Sequence, residues 1–163
     1  MGVHKNRLNH LLDLASWFKE IMVRQNLTDI IIPGDIIHTR EEVAVPVLDT
    51  MSQFFTILKD FNIIITVGNH DCYYNNRSDI HSLTTLTQWE NITVIDKPTT
   101  YIVFGRKLGF CPWACEKQDI PECDILFGHF DIKTFQMSGK KLSSHGLDRK
   151  STRLNSSHDQ RSR

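Results

Sequence analysis

Hydrophobic residues recur at intervals of three and four along residues 7–25, which predicts an amphipathic helix. A second helix is predicted over residues 46–59, where Pro46 stands near the first turn. A third is predicted over residues 80–89. The inward positions of the first helix are Leu8, Leu11, Leu12, Ala15, Phe18, Ile21 and Met22.

Short runs rich in isoleucine separate these helices. Residues 29–32, 63–67 and 124–127 are apolar and β-branched, which predicts strands buried on both faces. A further strand is predicted at residues 92–95, and a hairpin at 101–104 and 107–110 that turns at Gly105-Arg106. With 163 residues, 40% of them hydrophobic, the chain fits one globular domain of mixed α/β class, arranged as a sandwich.

Each of the three apolar strands runs into a glycine and then a polar cluster. Glycine turns at strand ends let backbone approach a ligand, so these loops are candidates for one site. Each polar residue taken singly also fits a turn, a helix cap or a surface position. Three such units in one chain favour a site over independent turns. The units are Gly34-Asp35, Gly68-Asn69-His70-Asp71 and Gly128-His129.

The polar side chains of these loops suit divalent metal chemistry. Asp35, Asn69 and His129 offer a carboxylate, an amide oxygen and an imidazole, which are ligands for ions such as manganese. A carboxylate can bridge two ions about 3.5–4 Å apart, and such a pair clamps a phosphate and activates water. His70 is then a candidate general acid for the leaving oxygen. His38 and Asp71 are candidates to orient His70 or a metal ligand.

These motifs resemble the signature of the calcineurin-like metallophosphoesterases. That signature begins with Asp-x-His and continues through Gly-Asp, Gly-Asn-His-Asp and Gly-His to a final Gly-His-x-His. The three middle elements occur here in that order. The resemblance implies a four-layer α-β-β-α sandwich, incomplete in this chain. It also implies that Asp35 bridges two metal ions, that Asn69 and His129 hold the second ion, and that His70 is the catalytic histidine.

Further segments are similar to one branch of that superfamily. Residues 34–38 resemble the corresponding motif of SbcD-type double-strand-break repair nucleases. Residues 96–100, 112–116 and 144–147 are similar to the nuclease subunit of the recombination endonuclease of large tailed phages. The resemblance covers residues 2–147. It implies a DNA nuclease that uses two Mn²⁺ or Mg²⁺ ions and works with an SbcC-type coiled-coil ATPase, and a homodimer is compatible with that assembly.

The outer elements of the signature are not in the sequence. We expect Asp-x-His just before Gly2 and Gly-His-x-His shortly after residue 147. Residues 148–158 resemble a translated sequencing-library adapter, so we predict a metallophosphoesterase fragment over 1–147 and a non-native tail over 148–163. A genuine disordered basic tail is the alternative. The fragment is expected to be inactive and only marginally stable, because a central strand and several ligands are missing.

Charge does not decide whether the substrate is DNA. The predicted tail has five basic and two acidic residues, and the rest of the chain has 14 basic and 17 acidic residues. A local basic groove can exist on such a protein. Lys133, Lys140 and Lys141 are candidate phosphate contacts, or simply solvated surface. We find neither a signal peptide nor a membrane span, which favours an intracellular, cytoplasmic protein. The resemblance to the phage nuclease subunit implies that a phage encodes it in a bacterial host.

Three other functions fit parts of the sequence. The core motif recognises a phosphate and not what carries it, so a metallophosphoesterase acting on nucleotides or phosphoproteins is the nearest alternative. A degenerate, non-catalytic binding module for an ATPase is the second. The third is a small zinc module built on Cys111, Cys115 and Cys123, although that spacing matches no common zinc site.

Overall fold

The computed structural model describes residues 3–130, 136–137 and 141–142, with side chains from residue 7 to residue 130. Within that part of the chain the architecture is mixed α/β, as the alternation of helix and strand predicts. The predicted boundary at residue 147, the tail beyond it, the segment 144–147, Lys133 and Lys140 lie outside the described residues. Of Lys141 only the backbone is described.

The first half of the chain combines two helices with a parallel sheet. Helix α1 spans Val3–Arg24 and helix α2 spans Val45–Ile57. Strands β1 (Asp29–Ile32), β2 (Asn62–Thr66) and β3 (Ile92–Ile95) pair in parallel in the order β1-β2-β3. Strand β2 therefore lies in the middle of this sheet, and the loop after β2 leaves from the same edge as the loop after β1.

The second half forms a separate sheet. Strands β4 (Thr99–Val103) and β5 (Arg106–Cys111) are antiparallel, and β6 (Ile125–Gly128) pairs with β5 in parallel. The backbones of Gln136–Met137 (β7) and Lys141–Leu142 (β8) form a two-stranded antiparallel pair. The two larger sheets are joined at their ends, because the backbone N–H of Trp113, after β5, donates to the carbonyl of Val67, after β2, at 2.8 Å.

The third predicted helix was wrong in type. Residues Ser82–Gln88 form a 3₁₀ helix rather than an α-helix. The hydroxyl groups of Thr84 and Thr87 each donate to the carbonyl three residues earlier, at 3.0 and 2.7 Å. Side-chain bonds of this kind compete with the α-helical pattern, and threonine has a low helix propensity.

The predicted hairpin turn was displaced by one residue. Val103 pairs with Arg106, so the two turn residues are Phe104 and Gly105. Both have positive φ angles, 50° and 73°, as a tight type I′ turn requires. Phe104 is almost fully exposed at the tip.

Burial of the three apolar strands on both faces was predicted and holds best for β2. Ile63 and Ile65 of β2 are 1% and 0% exposed and pack in the main core, whereas β1 and β6 are only half-buried. Among the residues that the structure describes, β1 is at the edge of its sheet, with no strand paired to its outer side. The main core also contains Ala15, Met22, Phe55, Leu58, Phe61, Leu83, Leu86 and Ile92.

An apolar groove runs along β1 between the two helices. Its volume is about 450 Å³, and it is lined by α1, by β1 with the residues that follow it, and by α2. Leu11, Leu14 and Phe18, which the periodicity places on the inward face of α1 or beside it, line the groove and are 44%, 40% and 37% exposed. The inward face of α1 is therefore only partly covered in the described residues. None of the described helices is both long and apolar enough to cross a membrane.

The stability of the fold should decrease as the pH drops from about 7.5 to 5.5, and protonation of His81 should contribute to this decrease. The ring of His81 is half-buried, its Nδ1 has no hydrogen-bond partner among the described residues, and burial lowers its pKa below the usual 6.5. The nearby carboxylates of Asp96, Asp71 and Asp79 oppose that shift without cancelling it. As the pH falls below 6.5, His81 is therefore protonated in the unfolded chain before it is protonated in the folded one. The contribution of His81 to stability is full above pH 6.5 and is lost as the pH falls below it.

The measurement is the thermal midpoint of the chain and of His81→Asn at both pH values. All other residues are the same in both proteins, so the difference between the two pH dependences isolates His81. The variant should lose less thermal stability between the two pH values than the parent does. An equal loss would show that His81 is not a source of the pH dependence.

Candidate metal centre

The loops after β1 and β2 cross in direct contact. A Cβ added to Gly34 would lie 2.7 Å from Cα of Gly68, and one added to Gly68 would lie 2.4 Å from the backbone nitrogen of Asp35. Gly34 also has a φ of 101°, which favours glycine. Only glycine allows this approach at both positions, and the approach places Asp35 beside the loop that carries Asn69 and His70.

We expect Gly68→Ala to lower both the stability of the fold and its affinity for a divalent cation. The new methyl group would lie 2.4 Å from Oδ1 of Asp35 as well as from its backbone nitrogen. Overpacking of this kind costs about 1–3 kcal/mol. Urea unfolding followed by tryptophan fluorescence measures the change. Gly105→Asn is the control, since a Cβ there meets nothing within 4 Å and asparagine tolerates positive φ. Equal destabilisation by the two changes would contradict the crossing of the loops.

Asp71 fastens the two loops together. Its Oδ2 accepts hydrogen bonds from the backbone N–H groups of Asp35 and Gly68, both at 2.9 Å, and its Oδ1 accepts one from Ile37 at 3.1 Å. The side chain is 1% exposed. Asp71 thus contacts the backbone of Asp35, and its carboxylate holds the loops rather than pointing into the space between them.

Asp35 directs its two carboxylate oxygens to different partners. Oδ1 accepts a hydrogen bond from the backbone N–H of His70 at 3.0 Å, and Oδ2 lies 3.5 Å from Nε2 of His129. The backbone of Asp35 has a φ of 58°, an unusual conformation for a residue other than glycine. This conformation is maintained by Asp71 through the backbone N–H of Asp35, and it leaves Oδ2 facing the imidazole.

His129 presents an unprotonated nitrogen to the same point. Its Nδ1 lies 3.0 Å from the carbonyl oxygen of Pro33, and because a carbonyl only accepts, Nδ1 carries the proton. In the neutral ring, Nε2 therefore has a free lone pair. That atom lies 2.8 Å from the side-chain amide of Asn69 and 3.5 Å from Oδ2 of Asp35. The structure thus brings together the three residues predicted as metal ligands.

The amide of Asn69 can serve this cluster in two orientations. With Oδ1 toward His129, three lone-pair donors meet at one point, which is unfavourable unless a cation joins them. With the amide reversed, Nδ2 donates to Nε2 of His129 at 2.8 Å and to Oδ1 of Asp35 at 3.3 Å, while Oδ1 accepts from Arg40 at 3.2 Å. The first orientation suits a bound ion, and the second suits the protein alone.

The spacing of the donors fits a small divalent ion. Ligand bonds of about 2.0–2.2 Å at right angles separate neighbouring ligand atoms by about 3 Å. The distances of 2.8 and 3.5 Å around Nε2 of His129 bracket that value. Within residues 7–130 there is no group of three or more His, Cys, Asp or Glu side chains that could hold a metal. The candidate centre has two such side chains and completes its set with an amide.

His70 lies beside this centre with its imidazole fixed. Its Nδ1 lies 2.9 Å from the carbonyl oxygen of His38, so Nδ1 donates and Nε2 is the nitrogen left for a ligand. The rings of His38 and His70 stack with their centroids 5.0 Å apart. His38 therefore contacts His70 through both its ring and its backbone. The orienting roles predicted for His38 and Asp71 stay predictions, with these contacts as their geometric basis.

Sequence reasoning missed Arg40 and Asn75 beside the centre, and it singled out Trp113 only as part of the phage-like segment 112–116. Arg40 donates to the side chain of Asn75 and reaches Asn69 when that amide is reversed. Trp113 donates from Nε1 to the backbone carbonyl of Asn75 at 2.8 Å, and its ring meets that of His129 edge-on at 6.0 Å. None of these residues belongs to a strand–glycine–polar unit. Only the fold places their loops against the centre.

The cysteines proposed as zinc ligands behave as protonated thiols. All four cysteines are free. Burial raises the pKa of the Cys111, Cys115 and Cys123 thiols above the usual range, and it raises the pKa of Cys72 to about 11. Cys123 lies against Gly109. The zinc module stays a prediction.

Comparison with known proteins identifies one similar sequence. No protein-family model matches the chain. The chain is 30% identical over 67 residues to the uncharacterized protein R555 of Acanthamoeba polyphaga mimivirus. That match covers 40% of this chain and 5% of the viral protein, so the chain spans only a small part of its relative's length.

Proposed function

We propose that this chain is part of a calcineurin-like metallophosphoesterase of the SbcD type, a DNA nuclease subunit that hydrolyses phosphodiester bonds during double-strand-break processing and recombination. The observation that carries the proposal is the meeting of Asp35, Asn69 and His129 at one point, with His70 beside them. The four-layer sandwich belongs to the proposal as its finer description of the mixed α/β fold.

In this proposal Oδ2 of Asp35, Oδ1 of Asn69 and Nε2 of His129 would hold one ion, and the carboxylate of Asp35 would be shared with a second. Two Mn²⁺ or Mg²⁺ ions would supply Lewis-acid stabilisation of the phosphate and activation of the attacking water. Among the described residues, these three donors are the ones that would hold an ion. We therefore expect cation binding to be easier to detect in this chain than hydrolysis, which we expect to be undetectable.

His70 is proposed to give a proton to the leaving oxygen. The carbonyl of His38 keeps the proton of His70 on Nδ1 and fixes the ring, so Nε2 is the nitrogen left for the substrate. A protonated Nε2 within hydrogen-bond reach of the leaving oxygen acts as a general acid. The backbone N–H of His70 donates to Oδ1 of Asp35, which keeps this histidine in register with the metal ligands.

Arg40 is proposed to bind the substrate phosphate. Of the residues the structure describes, no carboxylate lies within 4.0 Å of its guanidinium group; the ion pairs there are Lys19–Asp60, Arg77–Asp79 and His129–Asp35. The contacts of Arg40 are neutral amides, so its positive charge is not cancelled locally. A guanidinium group binds phosphate oxygens through two parallel hydrogen bonds.

The partners follow from the same proposal. DNA is the substrate, an SbcC-type coiled-coil ATPase is the partner subunit, and a homodimer of the nuclease subunit is compatible with that assembly. The setting proposed is the cytoplasm of a bacterial host, with the gene carried by a phage. The similarity of residues 96–100 and 112–116 to phage nuclease segments supports DNA over other phosphate esters.

The test is Mn²⁺-dependent binding of a phosphodiester that resists hydrolysis. Fluorescence anisotropy of a labelled phosphorothioate oligonucleotide is measured with Mn²⁺ and with EDTA. We expect Mn²⁺ to tighten binding by about tenfold or more, a coupling of ordinary size between two ligands. Arg40→Ala should weaken the Mn²⁺-dependent complex, whereas Arg106→Ala, which removes an exposed arginine of the hairpin, should not.

Two results would replace the proposal. Stronger competition by a phosphoserine peptide or a free nucleotide than by an oligonucleotide would favour the alternative phosphoesterase substrates. Binding of the oligonucleotide with no effect of Mn²⁺ or of Asp35→Asn would favour a non-catalytic binding module.

A further inference from the structure

Two exposed tyrosines stand next to the candidate metal centre. Tyr73 and Tyr74 follow the Gly-Asn-His-Asp unit after one intervening residue, Cys72, and are 53% and 41% exposed. Their rings meet at 90° with centroids 4.9 Å apart. The guanidinium group of Arg77 lies over the ring of Tyr74, 5.2 Å from its centroid. The loop thus presents two perpendicular aromatic rings to solvent, beside the guanidinium group of Arg77, which is paired with Asp79.

The loop that carries the tyrosines is anchored at several points. Cys72 and His81 form an isolated antiparallel bridge at its base, and the N–H of Tyr73 donates to the carbonyl of Ile80 at 3.0 Å. The hydroxyl of Ser78 donates to the carbonyl of Asp96 at 2.9 Å. The aromatic rings are therefore displayed on a fixed backbone, which lowers the entropy that a bound ligand must overcome.

The tyrosine loop is connected directly to the metal centre. Asn75, the residue after Tyr74, accepts a hydrogen bond from Arg40, and the same guanidinium group reaches Asn69 when its amide is reversed. The carbonyl of Asn75 also accepts from Trp113, whose ring meets that of His129. One arginine and one tryptophan thus separate the tyrosine loop from two proposed metal ligands. A phosphate at Arg40 would have its neighbouring nucleoside within this region.

We infer that Tyr73, Tyr74 and Arg77 form a stacking platform for an unpaired nucleobase of the substrate strand, next to the candidate metal centre. A base can stack on one ring while its edge meets the other, and such stacking is tolerant of sequence because every base has a π face. Arg40 supplies the positive charge that the strand's phosphates need. The inference rests on the proposed function, because it assigns a substrate class to the same centre.

The experiment measures binding of oligothymidylate of about 12 nucleotides to the whole chain by fluorescence anisotropy in EDTA. Working without metal separates base stacking from the metal-dependent contact. Tyr74→Ala and Tyr73→Ala should each weaken binding by about 5- to 150-fold, the range expected for one stacked base. Tyr74→Phe keeps the aromatic face and should bind within about twofold of the parent. Tyr101→Ala, which removes a tyrosine that is 39% exposed on β4, is the matched control.

Comparing several nucleic-acid ligands in the same assay shows whether the base, the strand and the sugar are each recognised. An abasic oligonucleotide of the same length should bind more weakly than oligothymidylate, and a duplex should bind no more tightly than the single strand. Equal affinity for the abasic strand, or parent-like affinity in both alanine variants, would overturn the platform. Thymidine monophosphate binding as tightly as the oligonucleotide would overturn the assignment to a strand, and a strong preference for oligouridylate would overturn the assignment to DNA.

Failure of the platform and failure of the proposed function give different results. If the centre holds no cation, Mn²⁺ affinity is absent in the parent chain whatever the tyrosine variants do. If only the platform is wrong, Mn²⁺ binding and its dependence on Asp35 persist while Tyr73→Ala and Tyr74→Ala leave oligothymidylate binding unchanged. Thermal unfolding of each variant shows whether a loss of binding comes from loss of the fold.

Discussion

Replacing Asp35 with asparagine is expected to weaken Mn²⁺ binding by more than about 100-fold. Changes to groups that merely orient a metal ligand cost 10- to 100-fold in affinity, and this change removes the one anionic ligand of the set. The asparagine retains an oxygen that can accept from the N–H of His70, so the loop geometry is preserved while the charge is lost. Isothermal titration with Mn²⁺, supported by the electron paramagnetic resonance signal of free Mn²⁺, measures the affinity.

The control for this change is Asp49→Asn. Asp49 is an exposed carboxylate on α2 whose side-chain contact is with Gln53, one turn away. It removes the same charge from the chain without touching the three loops, so it should leave the affinity within about twofold. His129→Gln should weaken binding like Asp35→Asn. Equal Mn²⁺ affinity in Asp35→Asn, His129→Gln and the parent would place the cation elsewhere.

Replacing Asp71 with alanine is expected to cause the largest loss of stability among single changes around the centre. The carboxylate of Asp71 is 1% exposed and accepts three backbone hydrogen bonds, from Asp35, Gly68 and Ile37. Its removal leaves three N–H groups without an acceptor, and each buried unsatisfied group costs about 1–3 kcal/mol. Because water can enter the space left by the side chain, we expect a total of about 3–5 kcal/mol, measured by urea denaturation.

Two further variants make that prediction testable even if the alanine variant does not fold. Asp71→Asn keeps one acceptor oxygen but turns an NH₂ group toward a backbone donor, so its stability should lie between those of the parent and Asp71→Ala. Asp60→Ala removes an exposed carboxylate paired with Lys19 at 2.9 Å, and the urea midpoint of this variant should stay close to that of the parent because exposed ion pairs contribute little to stability. If Asp71→Asn and Asp60→Ala are equally stable, Asp71 does not fasten the loops.

The elements that could be predicted from the sequence are those with a strong local pattern. The isoleucine runs located β1 and β3 at their observed bounds, and the periodicity of apolar residues located α1 and α2 to within a few residues. Local patterns were insufficient where side chains compete with the backbone, as in the 3₁₀ helix Ser82–Gln88. They also could not show that β1 is an edge strand, because strand order depends on contacts distant in the sequence.

The candidate centre was predictable to the extent that its residues follow strand ends. Asp35, Asn69 and His129 share that position, and parallel strands bring their carboxyl ends to one edge. The part played by Asp71 was not predictable in detail, since its three bonds depend on two loops crossing. Arg40 was missed because the sequence around an arginine in a polar loop does not indicate which other loop that arginine will contact in the fold.

The loops after β1, β2 and β6 contain two groups of residues with different roles. Gly34, Gly68 and Asp71 determine how the loops cross, and changes to them should appear first in stability. Asp35 and His129 direct their side chains to one point between the loops, and changes to them should appear first in cation affinity. Measuring stability and Mn²⁺ affinity on the same variants therefore tests whether the centre is a ligand site or only a structural junction.

The most direct test of the central claim is a crystal structure of the chain grown with Mn²⁺, with the ion located by its anomalous scattering. We expect a peak between the three loops, with Oδ2 of Asp35, Oδ1 of Asn69 and Nε2 of His129 each about 2.0–2.3 Å from the ion. The amide of Asn69 should then point its oxygen toward the ion. A fully occupied Mn²⁺ peak elsewhere, or no peak with the reversed amide still bonded to Nε2 of His129, would contradict the account.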